Sequence, residues 1–462
     1  MRHLGFGTSV ALILGSMVGA GIFLTPSLVA QSTRSVWVYL AFWLAGGATA
    51  FIGALAYAEL GSRFPRAGGD YVFLSKAFGQ PVANAWGWMS FLASFSGSIA
   101  ALSIGAADTL AATRFGASLA SPLFEVLGRT FAGRDLLAVS LVMVVTLTNV
   151  LGATLASWAQ VALTWLPIAG FLAVSVAALA TGADVGPAAS AVAASAPPGG
   201  LPSATAAYSA VFFAFSGWNV LTYLGGEVKS PKRLIPASIL TAVGISTALY
   251  LILNVAFLAL VPIENLPGVV NTGTTVFQRL FGDSGADAFA TLYAISILAC
   301  LNVTTMAGSR IWLAMTRDGH MWRRMAEIHP RTRTPVIALA VQGTWTILLV
   351  LTGSFASLVT LTGEVMILLS CVTVGTLFVF RRRGRDATSW QAPGFPWLPS
   401  LYILFSLGVL GVGVATTDSP HAIFGIAFFV ALVLWCRFGP DRAFRRRGAT
   451  TPVDRRMEFE KK

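Results

Sequence analysis

Two glycine-containing segments of this sequence have the residue types needed to bind a small charged molecule through the backbone. The first runs from Gly15 to Gly21 and the second from Phe215 to Asn219, each inside a long apolar run. Glycine there is expected to break the helix. The freed N–H groups can stabilise an anion such as a carboxylate, and the freed carbonyls can accept from an ammonium group. Alternatively, the small residues only allow neighbouring helices to approach closely.

Apolar runs long enough to cross a membrane recur along the chain. Of the 462 residues, 55% are hydrophobic and 11% are charged, which is more apolar surface than one soluble core can bury. A span needs about 20 apolar residues. The sequence therefore predicts an all-α integral membrane protein with twelve transmembrane helices. The first is predicted to be a retained span rather than a signal peptide. The predicted helices are 8–31, 36–60, 81–113, 135–151, 158–181, 205–227, 237–262, 286–316, 335–352, 356–380, 397–416 and 422–438.

The basic residues indicate an orientation in the membrane. A net charge of +12 could point to nucleic acid, but 26 of the 31 Lys and Arg fall on one side when the N-terminus is placed inside. The positive-inside rule then predicts a multi-pass protein of the cell membrane with both termini cytoplasmic and no nucleic-acid partner. The basic tail, 439–462, is suited to contact anionic lipid headgroups.

Cysteine and histidine suggest no metal or redox chemistry. Cys300, Cys371 and Cys436 all fall inside predicted helices, where they suit packing better than a disulfide or metal framework. The four histidines follow no metal-binding pattern. We therefore predict no metal, no cofactor and no enzymatic activity.

The two glycine-containing segments occupy the first and sixth apolar runs, five helices apart. Interrupted helices at equivalent positions indicate an inverted repeat with a binding site near the middle of the membrane. The sequence thus predicts a first repeat of helices 1–5 in residues 1–181 and a second of helices 6–10 in residues 205–380. Helices 11 and 12 follow in residues 397–438, before the tail.

Four motifs then resemble the amino acid-polyamine-organocation superfamily, and particularly the bacterial relatives of the L-type amino acid transporters. Residues Gly15–Phe23 resemble the family pattern GxxxGxGIF, and Phe64–Tyr71 resemble PxAGGxY. Residues Glu227–Pro236 resemble E-x-K-N-P-x-R-x-I-P, and Arg317–Pro335 resemble the family's loop between helices eight and nine. The resemblance implies a leucine-transporter-type fold of five plus five helices, with helices 1 and 6 broken and two helices added. It implies an amino acid as substrate.

The resemblance also assigns roles at the two breaks. It implies that N–H groups near Gly19–Gly21 face the α-carboxylate and that nearby carbonyls accept from the α-ammonium group. The family commonly has Ser or Thr where Ala20 stands, so one hydroxyl is missing here. Phe213 matches the aromatic gate and Trp218 a neighbouring wall. Independently of the resemblance, Ser96, Leu298, Cys300 and Asn302 fall at depths in the third and eighth spans that face the breaks, which makes them pocket candidates. The predicted substrate-binding residues are Ser16, Met17, Gly19, Ala20, Gly21, Phe213, Ser216, Gly217, Cys300 and Asn302.

Three residues are candidates for energy coupling. Glu364 lies inside the tenth span and either exchanges a proton, balances a cationic substrate or faces the outer vestibule. Many relatives carry a lysine in the fifth span in place of a sodium ion, but residues 160–170 contain none. Thr304 and Thr305 could offer hydroxyls to sodium there, or only bond to their own helix.

These observations predict a secondary active permease or exchanger that moves amino acids by alternating access. A neutral side chain is favoured because Glu364 is the only ionisable candidate near the predicted pocket. The alternatives are cationic amino acids, polyamines or another small solute on the same fold, and a nontransporting membrane sensor. Residues 113–134 contain no cysteine, so no disulfide-linked partner subunit is implied.

Overall fold

The computed structural model of the chain describes Arg2 and residues 4–19, 21–126, 129–151, 153–181, 200–332, 334–384, 389–415 and 420–438. Ala20, most of the linker 182–204 and the basic tail 439–462 lie outside the described residues.

Helices make up nearly all of the described structure. In chain order they are α1 Phe6–Met17, α2 Gly21–Gln31, α3 Val36–Arg63, α4 Asp70–Phe78, α5 Gln80–Met89, α6 Ser96–Ala111, α7 Gly133–Leu151, α8 Ala153–Ala180, α9 Gly200–Phe215, α10 Val220–Tyr223, α11 Pro231–Leu260, α12 Thr272–Arg317, α13 Val336–Thr352, α14 Phe355–Arg382, α15 Trp397–Ala415 and α16 Pro420–Phe438. Short 3-10 turns cover Arg114–Ala120, Gly225–Glu227, Ile263–Asn265 and Arg323–Ala326. An antiparallel hairpin pairs β1 Pro122–Val126 with β2 Arg129–Ala132.

The lengths and composition of these helices confirm a helical membrane protein. Within the described ranges, nine segments are long and apolar enough to cross a membrane. Three shorter apolar helices accompany them: Ser203–Phe215, Val336–Thr352 and Ile423–Phe438. The total of twelve spans stays a prediction, because these three are shorter than a full crossing.

Both predicted helix breaks are present. The first helix stops at Met17, Val18 leaves the helical region with ψ 76°, and α2 begins at Gly21. The second break separates α9 from α10, and there Gly217 has φ 106°, a conformation that favours glycine. The two glycine-containing segments are thus the places where the helices are interrupted.

The broken segment Phe6–Gln31 lies at the centre of the molecule. In its most apolar stretch 94% of the residues are buried, against 22% for α7 and 28% for α15. Large apolar side chains such as Leu151 and Leu404 face outward on those outer helices. This arrangement surrounds the break with protein and leaves the outer helices to face lipid.

Candidate functional site

A cavity lies between the two helix breaks and contains most of the predicted substrate-binding residues. Its lining includes Ser16, Met17, Gly19, Gly21, Phe213, Ser216, Gly217, Cys300, Trp218 and Thr304. Asn302, Thr305 and Glu364 are not part of the lining.

The backbones of the two breaks touch each other, and glycine makes this possible. A Cβ on Gly217 would lie 2.4 Å from Ser16 Oγ, and a Cβ on Gly21 would lie 2.6 Å from Ala214 Cα. Atoms of this kind do not approach so closely in packed proteins. The two breaks therefore form one continuous wall of backbone.

Backbone polar groups are concentrated at this wall. Gly21, Ile22 and Phe23 begin α2, so their N–H groups have no carbonyl partner within that helix. A carboxylate placed there would gain from these donors and from the helix dipole. The geometry thus suits the predicted carboxylate site.

The carbonyls predicted to hold an ammonium group already accept hydrogen bonds. Tyr250 donates its hydroxyl to Met17 O at 2.5 Å, and the thiol of Cys300 donates to Ser16 O at 3.2 Å. Ser296 donates to Val18 O at 2.6 Å. Met17 O also accepts from Gly19 N at 2.9 Å, so both of its lone pairs are used. The contacts of Cys300 and Ser296 orient the carbonyls of Ser16 and Val18 and leave a second lone pair on each.

Sequence reasoning missed Tyr250 and Ser296. Tyr250 is fully buried, and its hydroxyl also donates to Ala214 O at 3.1 Å, so it joins both breaks. A tyrosine inside an apolar helix was the available signal, because its hydroxyl needs a partner when buried. The sequence alone does not indicate which carbonyl that partner is.

The rest of the cavity wall is neutral. It comes from the third and tenth predicted spans and from α3, with Tyr57, Trp86, Ser94, Phe95, Ser98, Leu102, Met366, Leu369 and Ser370. Among the residues that the structure describes, no Asp, Glu, Lys or Arg lines the cavity. Nor do the described parts hold any group of three His, Cys, Asp or Glu arranged for a metal ion.

The candidates Ser96 and Leu298 do not line the cavity, whereas Ser94 and Ser98 do. Residues four apart share one face of a helix, and the residue midway between them faces elsewhere. A π-helical segment, Ser90–Phe95, also shifts the register just before this point. The sequence prediction thus selected a helix that lines the cavity, but a residue on another face of it.

Asn302 belongs to a network of side-chain amides instead of the cavity lining. It donates to Gln160 Oε1 at 3.3 Å and accepts from Asn149 Nδ2 at 2.8 Å. Gln160 in turn donates to Ala299 O at 3.3 Å. The network joins α7, α8 and α12.

Replacing Asn302 by alanine should therefore lower stability and leave substrate affinity unchanged. The change would leave Gln160 Oε1 and Asn149 Nδ2 each short of a partner, at a cost of about 1–3 kcal/mol per buried group. We expect a lower unfolding temperature in detergent and an unaltered KM for transport. A raised KM at an unchanged unfolding temperature would instead place Asn302 at the substrate.

The three coupling candidates lie at different positions relative to the cavity. Thr304 lines the cavity and donates to Cys300 O at 2.8 Å, as an ordinary helix threonine does. Thr305 is buried outside the lining, and Glu364 is 5% exposed on α14. The structure therefore brings only Thr304 to the cavity.

The cavity-lining residue Tyr223 belongs to a contact that we call the basal seal, formed by Leu4, residues 64–70 and residues 222–229. Leu4 pairs with Val228 in a parallel bridge, through Leu4 N to Glu227 O at 3.0 Å and Lys229 N to Leu4 O at 2.9 Å. Gly68 N donates to Tyr223 O at 3.3 Å. The second motif of the sequence thus contacts Tyr223, and the start of the third motif contacts Leu4.

Two ion pairs lie close to this end of the molecule. Glu59 pairs with Arg381 at 2.5 Å, and Glu227 pairs with Arg310 at 3.4 Å. The partners are 322 and 83 residues apart in sequence. Helix packing brings together residues that are distant in sequence.

Comparison with known proteins agrees with this geometry. A family model described as amino acid permease matches residues 4–444. The serine/threonine exchanger SteT of Bacillus subtilis is 26% identical over 426 residues, covering 89% of this chain and 90% of the relative. The mouse b(0,+)-type amino acid transporter 1 is 26% identical over 452 residues, covering 95% and 89%.

A rat protein, large neutral amino acids transporter small subunit 2, is 26% identical over 416 residues, covering 87% of this chain and 74% of its own length. These relatives are transporters and exchangers, not enzymes, in line with the prediction from the motifs. With the match across nearly the whole sequence and a cavity between two broken helices, the chain belongs to the amino acid permease family.

Proposed function

We propose that this permease exchanges amino acids with neutral side chains by alternating access. The supporting observation is the cavity itself, in which backbone groups of two broken helices meet side walls that carry no charged residue among the described positions. A zwitterion would be held by its carboxylate and ammonium groups, and a neutral side chain would face Trp86, Phe95 and Leu102. Exchange is favoured by the similarity to the bacterial relative, which is a serine/threonine exchanger.

In this proposal the substrate is bound by the predicted residues that line the cavity and by Ala20. Phe213 closes over the bound amino acid, and Trp218 supports that closure. Ala20 is retained as a contact to the carboxylate through its N–H group. The architecture is a five-plus-five inverted repeat with two added helices, both termini lie in the cytoplasm, and the basal seal is the cytoplasmic gate.

A counterflow assay tests this function. Purified protein in proteoliposomes loaded with one unlabelled amino acid at a time should accumulate the same labelled amino acid from outside. We expect saturable accumulation for a subset of the neutral amino acids, and none in liposomes that lack an internal amino acid. Absence of counterflow for all twenty would contradict the proposal.

The same assay separates the alternatives. Arginine and spermidine should fail to compete with the transported amino acid, because no carboxylate lines the cavity in the part of the chain that the structure describes. Competition by these cations would favour a cationic substrate. Substrate binding without any counterflow would favour a nontransporting sensor.

The positions of the cysteines indicate whether a partner subunit could be linked by a disulfide. One relative is named a small subunit, whereas the three cysteines of this chain lie in α12, α14 and α16. We propose that this permease works without a disulfide-linked partner.

A further inference from the structure

Asp70 is a fully buried carboxyl at the start of α4, within the motif Phe64–Tyr71. Two tyrosine hydroxyls donate to it, Tyr57 to Oδ1 and Tyr223 to Oδ2. Asn219 donates its side-chain amide to the same Oδ2 at 3.5 Å. The carboxyl therefore collects three donors from α3, α10 and the second helix break.

All three donors also line the substrate cavity. Tyr223 is part of the basal seal as well: its carbonyl accepts from Gly68, and its ring would lie 2.6 Å from a Cβ on Gly69. Asp70 thus belongs to the seal and is hydrogen-bonded to residues that line the cavity. Movement of α10 away from residues 64–70 must break its bond with Tyr223.

No cation neutralises this carboxyl among the described residues. The titratable groups that face it are Tyr57 of α3, Tyr223 of α10 and Tyr402 of α15. The charged groups on neighbouring helices have other partners: Arg381 of α14 pairs with Glu59, Lys76 of α4 lies over the Phe64 ring, and Asp318 at the end of α12 accepts from Tyr71.

Burial without a counter-charge favours the neutral form of a carboxyl. Burial raises the pKa of Asp70 above its ordinary value, and the hydroxyls of Tyr223 and Tyr57 oppose that shift. When the seal opens, water would reach the carboxyl and return its pKa toward about 3.9. The closed seal therefore holds a proton more tightly than the open seal.

We propose that Asp70 is a proton-binding site whose occupancy is linked to closure of the basal seal. The inference rests on the alternating access proposed above. By linkage, a proton that binds the closed arrangement more tightly stabilises it. Low pH should keep the seal closed, and this advantage should be lost as the pH rises through the closed-state pKa of Asp70.

Hydrogen exchange of the seal tests the proposal without any substrate. The full chain in lipid nanodiscs would be labelled between about pH 5 and about pH 8, the range that a buried carboxyl can reach. Protection of residues 64–74 and 220–229, corrected for the intrinsic exchange rate, should fall with rising pH by up to about tenfold per unit, the limit for one proton.

Three variants distinguish a proton site from a purely structural carboxyl. Asp70→Asn imitates the protonated form and should make protection independent of pH. Tyr57→Phe removes one donor from the carboxylate and should move the midpoint to higher pH. Asp318→Asn, which changes a carboxyl that also accepts from a tyrosine, should behave as the unmodified chain.

Protection that does not vary with pH in the unmodified chain would overturn the proposal, as would a pH dependence that survives Asp70→Asn. Failure of this inference is distinguishable from failure of the transport function. A seal indifferent to pH in a chain with active counterflow removes the proton site alone. A pH-dependent seal in a chain without counterflow supports the proton site and contradicts transport.

Discussion

Substitution of Gly21 by valine should abolish amino acid binding and counterflow. A Cβ at this position would lie 2.6 Å from the Cα of Ala214, a backbone atom that cannot rotate away. Separating the two breaks costs about 1–3 kcal/mol or more of overpacking, and it displaces the first N–H groups of α2 from the carboxylate site. We expect affinity to fall at least about a hundredfold, measured by binding of a transported labelled amino acid to the purified protein.

Gly244→Val is the matched control for this substitution. Gly244 lies in α11, and a Cβ there has no atom within 4 Å. The control should keep normal binding and counterflow, because valine meets only open space at that position. If Gly21→Val bound substrate as well as Gly244→Val does, the two breaks would not form the substrate site.

The helix breaks could be predicted from sequence because their causes are local. Glycine in mid-span beside short polar side chains weakens a helix whatever surrounds it, and the apolar runs on either side fix the position of the break. The residues assigned to the breaks accordingly line the cavity, from Ser16 and Gly21 to Phe213 and Gly217.

The side walls and the polar networks could not be predicted in the same way. Whether Ser94 or Ser96 faces the cavity depends on a π-helical segment that the apolar pattern does not encode. Asn302 was assigned to the substrate because of its depth in the membrane, but its partners are 142 and 153 residues away in sequence. Contacts of this kind are set by packing of whole helices.

Asp70 illustrates a third case. The motif that contains it was recognised, but the sequence indicates neither its burial nor its partners. Tyr57 and Tyr223 lie 13 and 153 residues from it. Only the fold shows that a loop motif, a helix of the first half and the second helix break converge on one carboxyl.

Breaking the ion pair between Glu59 and Arg381 should be strongly destabilising. The two side chains are 2% and 7% exposed, and Glu59 Oε2 also accepts from Ala392 N at 2.8 Å. Removing one partner leaves the other charge buried and unpaired, at a cost of about 3–5 kcal/mol. We expect Glu59→Gln and Arg381→Gln each to lower the unfolding temperature in detergent far more than Arg114→Gln, which breaks an exposed pair with Asp287.

The double variant Glu59→Leu, Arg381→Met shows whether the pair is needed for stability or for movement. Neither charge is then left alone, and apolar side chains of similar volume often restore stability at such a site. We expect an unfolding temperature above that of either single variant. If counterflow also recovers, the pair only joins α3 to α14. If stability recovers and counterflow does not, the charges themselves act in transport. A double variant no more stable than the single variants would contradict the explanation that the single variants are destabilised by an unpaired buried charge.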